Sequence, residues 1–369
     1  MGKSVRLTGL FVIAAIVGLA CSSTPGSSSS GGAMTKVRFQ LQWVVQAQFA
    51  GYNAALDQGY FKDEGLDVTL LPGGPDINNL QVVASGGAEL GTSWVPKTLQ
   101  SREGGTDLVS IAQILQRSGT RMVAFKQANI TDPKTMLGKK IGSWLGGNEP
   151  ELFAAIVKAG GDPTKENVIK QDFNMNAFIA GDIDVAQAMI YNEYAQVLET
   201  KNATTGQLYS PNDLNVIDFN DPSIGTAMLQ DAIIARESWL KQAGNEDIAV
   251  KFLKAAFRGW IYCRDNSQKC ADLVVAAGSE LKKGHQTWMM NEINGLIWPS
   301  PNGIGQLDQA AWDNTINIAT TYKVLKAAPN QGAVRTDLAK KALDALGTSV
   351  DTKGASFKPT TVTLTEGGN

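Results

Sequence analysis

Histidine is almost absent from this chain. His285 is the only one in 369 residues, and cysteine appears only as Cys21, Cys263 and Cys270. That scarcity argues against histidine-triad chemistry and against a closed zinc site, which needs four Cys or His ligands. Charge of one sign is missing too. Lys and Arg number 33 against 35 Asp and Glu, a net charge of −2, so composition gives no basic surface for nucleic acid. Long hydrophobic runs are lacking except for the uncharged stretch Leu7 to Ala20, whose 14 residues fall short of the about 20 that cross a bilayer. What remains, 43% hydrophobic and 18% charged, is ordinary globular material. At about 100–200 residues per domain the length predicts two domains.

The N-terminus reads as a targeting signal. Lys3 and Arg6 precede the apolar stretch, which ends Val17-Gly18-Leu19-Ala20-Cys21. This resembles a bacterial lipoprotein signal, in which the cysteine is lipidated and becomes the mature N-terminus. The usual leucine stands three places before the cysteine; here that place holds Gly18, and Leu19 comes one step late. Residues 1–21 are therefore expected to be signal with Cys21 as lipid anchor, and 22–35 a flexible Ser/Gly tether. An exported chain meets an oxidising compartment, so a Cys263–Cys270 disulfide is the first reading and two buried thiols the other.

Along the rest of the chain, Val37, Phe39, Leu41 and Trp43 alternate with polar residues, a strand of period two. A helix over 49–61, a strand over 66–71, a helix over 77–85, a strand over 89–93 and a helix over 95–100 are expected next. The pattern restarts with strands at 139–144, 167–171 and 183–190 and helices at 150–159 and 192–200. Beyond Ile233 the pattern is mostly helical. Alternating strands and helices predict an α/β fold with largely parallel sheets. Ligands of such sheets bind beyond the carboxyl ends of strands, which directs attention to 43–49, 73–76, 93–94, 117–118, 144–149 and 191–193.

Those segments carry a resemblance. Gln42 to Tyr52, then Gly59 to Val68, look like the opening of ABC-importer substrate-binding proteins, in particular binders of thiamine pyrimidine precursors and of riboflavin. Pro72 to Asp76, Gly146-Gly147-Asn148-Glu149 and Tyr191-Asn192-Glu193-Tyr194 continue it. The resemblance covers roughly 36–325. It implies a two-lobed type II periplasmic binding protein fold with the ligand cleft between lobes. Lobe one would be 36–124 plus 220–346, lobe two 125–219, with crossings near Phe125 and Phe219 and a polar tail over 347–369. It also implies a monomer that delivers solute to permease and ATPase subunits, held at the membrane by its lipid. No cofactor is implied. Pyrimidine-type members carry Asn-x-x-His after the tryptophan, whereas this chain has Gln46-Ala47-Gln48-Phe49. Phe49 in place of the histidine favours a larger aromatic ligand, riboflavin first, with a thiamine pyrimidine precursor (hydroxymethylpyrimidine or formylaminopyrimidine) as the alternative.

The chemistry expected of such a site is stacking plus in-plane hydrogen bonds. Trp43, Trp94 and Trp144 fall at strand ends, whereas Trp239, Trp260, Trp288, Trp298 and Trp312 fall in the helical run. Tyr191, Asn192 and Glu193 are placed to read ring donors and acceptors, although Glu193 also suits a helix start. Asn148 and Glu149 are binding or capping residues. Gln46, Gln48 and Ser118 would bond a polyol chain, and Asp76 is a ligand contact or a turn residue. Gly73-Gly74 lacks the Gly-Lys-Ser/Thr of a phosphate loop. Two other functions compete. A pyrimidine-synthase-like enzyme would need the histidine that Phe49 replaces, and a sensor domain would need a transmembrane link to a signalling module. The sequence therefore favours a binding protein rather than an enzyme.

Overall fold

A computed structural model describes residues 33–369. The expected signal peptide, Cys21 and nearly all of the tether lie outside the described residues. Among the described residues no helix is long and apolar enough to cross a membrane.

The first part of the fold is built from β1 (Thr35–Gln40), β2 (Leu66–Leu71), β3 (Leu90–Ser93) and β4 (Leu108–Gln113). The second part holds β5 (Thr120–Phe125), β6 (Ile141–Ser143), β7 (Val168–Lys170), β8 (Val185–Met189) and β9 (Leu214–Asp218), and β10 (Ala232–Arg236) returns to the first. The strands form two five-stranded sheets, ordered β2-β1-β3-β10-β4 and β7-β6-β8-β5-β9. In each sheet the first three strands are parallel, and one strand, β10 or β5, runs antiparallel to both its neighbours. The sheets are thus mixed, not largely parallel.

Local sequence explains the first turns of chain. Val37 and Phe39 point into the core, and β1 ends at Gln40 instead of running on to Trp43, because the backbone turns there. The helix expected over 49–61 is divided. A 3-10 turn over Ala47–Phe49 leads to a helix at Ala50–Asp57, and Gly59, at φ 72, starts a second one at Tyr60–Asp63. A left-handed residue ends a helix at low steric cost only when it lacks a Cβ. The helix Ala50–Asp57 packs on the long helix Asn245–Asp265 at glycine-to-glycine range: a Cβ on Gly259 would overlap the Gly51 carbonyl oxygen. Cys263, near the end of that long helix, is joined by a disulfide to Cys270 in the helix Ser267–Ala276, with Cα atoms 5.5 Å apart.

The chain passes between sheets at residues 114–119, a few residues before the expected crossing near Phe125, because Thr120–Phe125 pairs with β8 and β9. It returns over 219–231. The two crossings lie side by side. The Ile114 N–H donates to the Asp231 carbonyl at 3.0 Å, and the Gly119 N–H donates to Gln230 Oε1 at 2.8 Å. Gln230 Nε2 donates to Thr120 Oγ1 at 2.6 Å, and Asn220 Nδ2 donates to the Ser118 carbonyl at 2.8 Å. Buried Glu151, in the helix Pro150–Lys158, accepts from the Met228 N–H at 2.6 Å and from Gln230 Nε2 at 3.2 Å.

The polar C-terminal segment 347–369 packs on the surface of the body. It forms no strand. The Thr360 N–H donates to Asn291 Oδ1 at 2.8 Å, Leu364 packs against the same buried cluster as Trp288, and the Gly367 N–H donates to the Glu199 carbonyl at 3.0 Å.

Candidate functional site

The carboxyl ends of β1, β2, β3, β6, β7 and β8 converge on one cavity of about 920 Å³. Both sheets contribute in the same way, each through the segments that follow its parallel strands. Nine of the residues singled out in the sequence line it: Trp43, Gln48, Asp76, Trp94, Trp144, Asn148, Tyr191, Asn192 and Glu193.

Four others sit elsewhere, each for a local reason. Phe49 ends the 3-10 turn and points into the core, fully buried, so it offers no face to a ligand. Gln46 precedes that turn, buried, with its carbonyl accepting from the Phe49 N–H. Ser118 belongs to a crossing, where its Oγ accepts from the Thr120 N–H at 3.1 Å, and it lines a separate cavity of about 200 Å³. Glu149 folds back so that Oε2 accepts from the Gly147 N–H at 2.9 Å.

Three residues that the sequence did not single out are central. Phe173 follows β7 and lines the cavity, with its ring 4.4 Å from that of Trp43 at 56° and 6.2 Å from that of Trp144 at 17°. The sequence put a strand at 167–171, and the strand-end rule, not applied to that strand, was the signal that could have found Phe173. The Phe173 segment is fixed by Gln171, whose Nε2 donates to the Gln187 carbonyl at 2.8 Å and whose Oε1 accepts from the Gln187 N–H at 3.1 Å. Lys97 lies in the first turn of the helix Val95–Glu103, with Nζ 5.5 Å from the centre of the Trp94 ring. Across the cavity Leu145, Gly146 and Gly147 all adopt positive φ, and a Cβ on Gly147 would come within 3.3 Å of the Lys97 stem. Asp231 comes from the return crossing and stands behind the lining, where it accepts from the lining residue Gln42 through Nε2 at 2.5 Å; no pattern in the sequence marks it.

The cavity is electrostatically tuned by burial. Glu193 accepts from the Met189 N–H and from Asn192 Nδ2, both at 3.0 Å, yet burial raises its pKa to about 7. Burial raises Asp231 to about 6 against the hydrogen bonds from Gln42, Trp94 and Gln48. Burial also pushes the Tyr191 hydroxyl well up and the Lys97 ammonium down. The indole N–H of Trp144, buried at the cavity wall, has no hydrogen-bond acceptor among the described residues. Among the described residues no group of three or more His, Cys, Asp or Glu is arranged to hold a metal ion. The arrangement suits a planar, polar solute: aromatic faces, a carboxylate acceptor and an indole donor in one enclosed space.

A family described as NMT1/THI5 like matches residues 46–270, more than half of the chain. The chain belongs to the NMT1/THI5-like family. Among its relatives is the formylaminopyrimidine-binding protein of Halalkalibacterium halodurans, 23% identical over 321 residues that cover 85% of this chain and 93% of that one. Another is the 4-amino-5-hydroxymethyl-2-methylpyrimidine phosphate synthase of Aspergillus parasiticus, 26% identical over 62% of this chain and 66% of that one. Among solved structures, a Candida albicans protein described as having the generic periplasmic binding protein fold superposes with a TM-score of 0.57 at 13% identity, covering 90% of this chain and 98% of that one. The ligand-binding component of an ABC-type import system from Staphylococcus aureus gives a TM-score of 0.60 at 10% identity, covering 84% and 99%. This NMT1/THI5-like chain has the periplasmic binding protein fold, as its resemblance implied.

Proposed function

We propose that this chain is the extracytoplasmic solute-binding component of an ABC importer, and that its solute is a substituted aminopyrimidine of the formylaminopyrimidine class. The observation that carries the reading is the cleft itself. Trp144 and Phe173 present near-parallel rings, the Trp144 indole N–H is free to donate, and Glu193 is free to accept from a ring amino group. The two sheets act as lobes that close on the solute, and the closed form is read by permease and ATPase subunits. Trp43, Gln48, Asp76, Trp94, Asn148, Tyr191 and Asn192 complete the lining in this reading, and Cys21 anchors the chain to the membrane.

The riboflavin expectation gives way to its alternative. It rested on Phe49 as a flat face for a larger ring system, and Phe49 is in the core. The relative that the chain matches over most of both lengths is named for a pyrimidine. A synthase reading has less support. The histidine that such an enzyme places in the motif after the tryptophan is absent here, and His285 does not line the cavity.

Calorimetric titration of the purified chain with formylaminopyrimidine, hydroxymethylpyrimidine and riboflavin tests this directly. One-site binding of a pyrimidine with no riboflavin heat is expected. Saturable riboflavin binding without pyrimidine binding would overturn the ligand assignment.

A further inference from the structure

His285 is buried and stands behind the cavity in the helix Lys283–Ile297. Its Nδ1 lies 2.9 and 3.0 Å from the two carboxylate oxygens of Glu199, and its Nε2 lies 3.0 Å from Asn192 Oδ1. A carboxylate only accepts, so Nδ1 carries a proton. The Asn192 amide is fixed from its other side, because its Nδ2 donates to Glu193 Oε1 at 3.0 Å. Its oxygen therefore faces the ring, and Nε2 must donate as well. With Glu193 and Glu199 ionised, the doubly protonated imidazolium meets both demands. A continuous chain of hydrogen bonds thus runs Glu199–His285–Asn192–Glu193, from behind the cleft to a residue that lines it. The C-terminal segment closes the rear of this chain. Gly368 adopts φ 72, and a Cβ there would stand 2.9 Å from His285 Cβ and 3.1 Å from both Glu199 oxygens.

We infer that His285 is a positioning residue for the cleft: acting through Asn192, it holds the Glu193 carboxylate charged and oriented toward the solute. The inference deepens the proposed function and rests on Glu193 being a solute contact. The groups around the pair are few. Glu199 faces His285, while Tyr191 and, beside Tyr191, Asp231 share the surroundings of Glu193. Tyr191 is neutral at ordinary pH and Asp231 carries negative charge, so His285 is the positive charge bonded into this network. Burial raises Glu193 to about 7 and the imidazolium opposes that rise. Removing the imidazolium charge then raises Glu193 further, and solute binding that needs the carboxylate appears only at higher pH.

The test is His285→Gln, which keeps a hydrogen-bonding amide and loses the charge. Two measurements are made on wild type and variant: the 13C carboxyl titration of Glu193 without solute, assigned by its loss in Glu193→Gln, and the pH profile of formylaminopyrimidine binding. The expected result is a rise of about one pH unit in the Glu193 midpoint, with binding about fivefold weaker near pH 7, about tenfold weaker near pH 6, and restored near pH 9. An unshifted Glu193 midpoint with binding weakened equally at all pH values would show mere structural support and overturn the inference. If His285→Gln does not fold, Asn192→Leu cuts the same chain while leaving the His285–Glu199 pair, and an unmoved midpoint there overturns it equally. If wild type binds no pyrimidine, the proposed function fails on its own, and the carboxyl titration still decides the role of His285.

Discussion

Replacing Phe173 with alanine separates the aromatic wall of the cleft from everything else in the fold. The side chain is 37% exposed, so it is not a core residue, and its loss should leave the fold intact. What it contributes is a ring facing Trp144 at 6.2 Å and 17°. A planar solute that enters beside Trp144 needs the Phe173 ring to move by about 1 Å to make a slot two stacking distances wide, and it then has an aromatic surface on both faces. One stacked pair is worth about 0.5–1.5 kcal/mol beyond its area. The apolar area shielded by the ring adds a comparable amount at about 25 cal/mol per Å². The sum, about 1–3 kcal/mol, weakens binding roughly five- to 150-fold. Calorimetry with formylaminopyrimidine on wild type and Phe173→Ala reads this out, with thermal unfolding as the control. Affinity within twofold of wild type would mean the ring seats elsewhere. Tighter binding would mean that Phe173 fills the solute's own place and must be expelled. Either result refutes the slot.

Three buried acids also set the response to pH. Glu151 and Glu193 are raised to about 7 and Asp231 to about 6, so the folded state holds more protons than the unfolded state between about pH 4.5 and 7. Stability contributed by these groups is full below the unfolded pKa values and is lost as pH rises through the folded ones, at up to about 1.4 kcal/mol per pH unit for each group. Denaturant unfolding should give a lower stability at pH 7.5 than at pH 5.5, and Glu151→Gln should flatten that slope; stability that rises over this range would contradict the burial argument. Gly259→Ala forces a methyl group onto the Gly51 carbonyl between two packed helices and should cost about 1–3 kcal/mol or more, lowering the denaturation midpoint, whereas an unchanged midpoint would show that the helices can separate freely.

How much of this was legible in the sequence depended on which strands kept a pattern of their own or alternated with helices. The edge-ward strands β1 and β2 alternate buried and exposed residues, and both were found. The strands β4, with Leu108-Val109-Ser110-Ile111-Ala112-Gln113, and β10, with Ala232-Ile233-Ile234-Ala235, are covered on both faces and show no alternation. They went unseen, as did β5 and β9, and with them the antiparallel member of each sheet, whereas β3, β6 and β8, just as buried, were found because they stand in a strand–helix alternation. The strand-end rule located most of the cavity, including its three tryptophans, because it depends on topology alone. It could not tell that a 3-10 turn would carry Phe49 inward. The roles of Asp231 and His285 were hidden for another reason. Each is brought against a lining residue, Gln42 or Asn192, by a segment distant in sequence, and nothing in the local pattern records that meeting.

The paired crossings have a mechanical consequence. Two strands of chain run side by side between the sheets, and backbone and side-chain bonds join them at Ile114–Asp231 and Gly119–Gln230. A single connector could twist as well as bend. Two connectors tied along their length resist torsion and leave essentially one angular degree of freedom, as a door leaf has on a pair of hinges. The buried Glu151 ties this axis to the first turn of the helix Pro150–Lys158, directly after the loop that carries Trp144 and Asn148. In the closure proposed above, motion would then run along one coordinate, and the permease would need to sense only a single angle to know whether the cleft is filled.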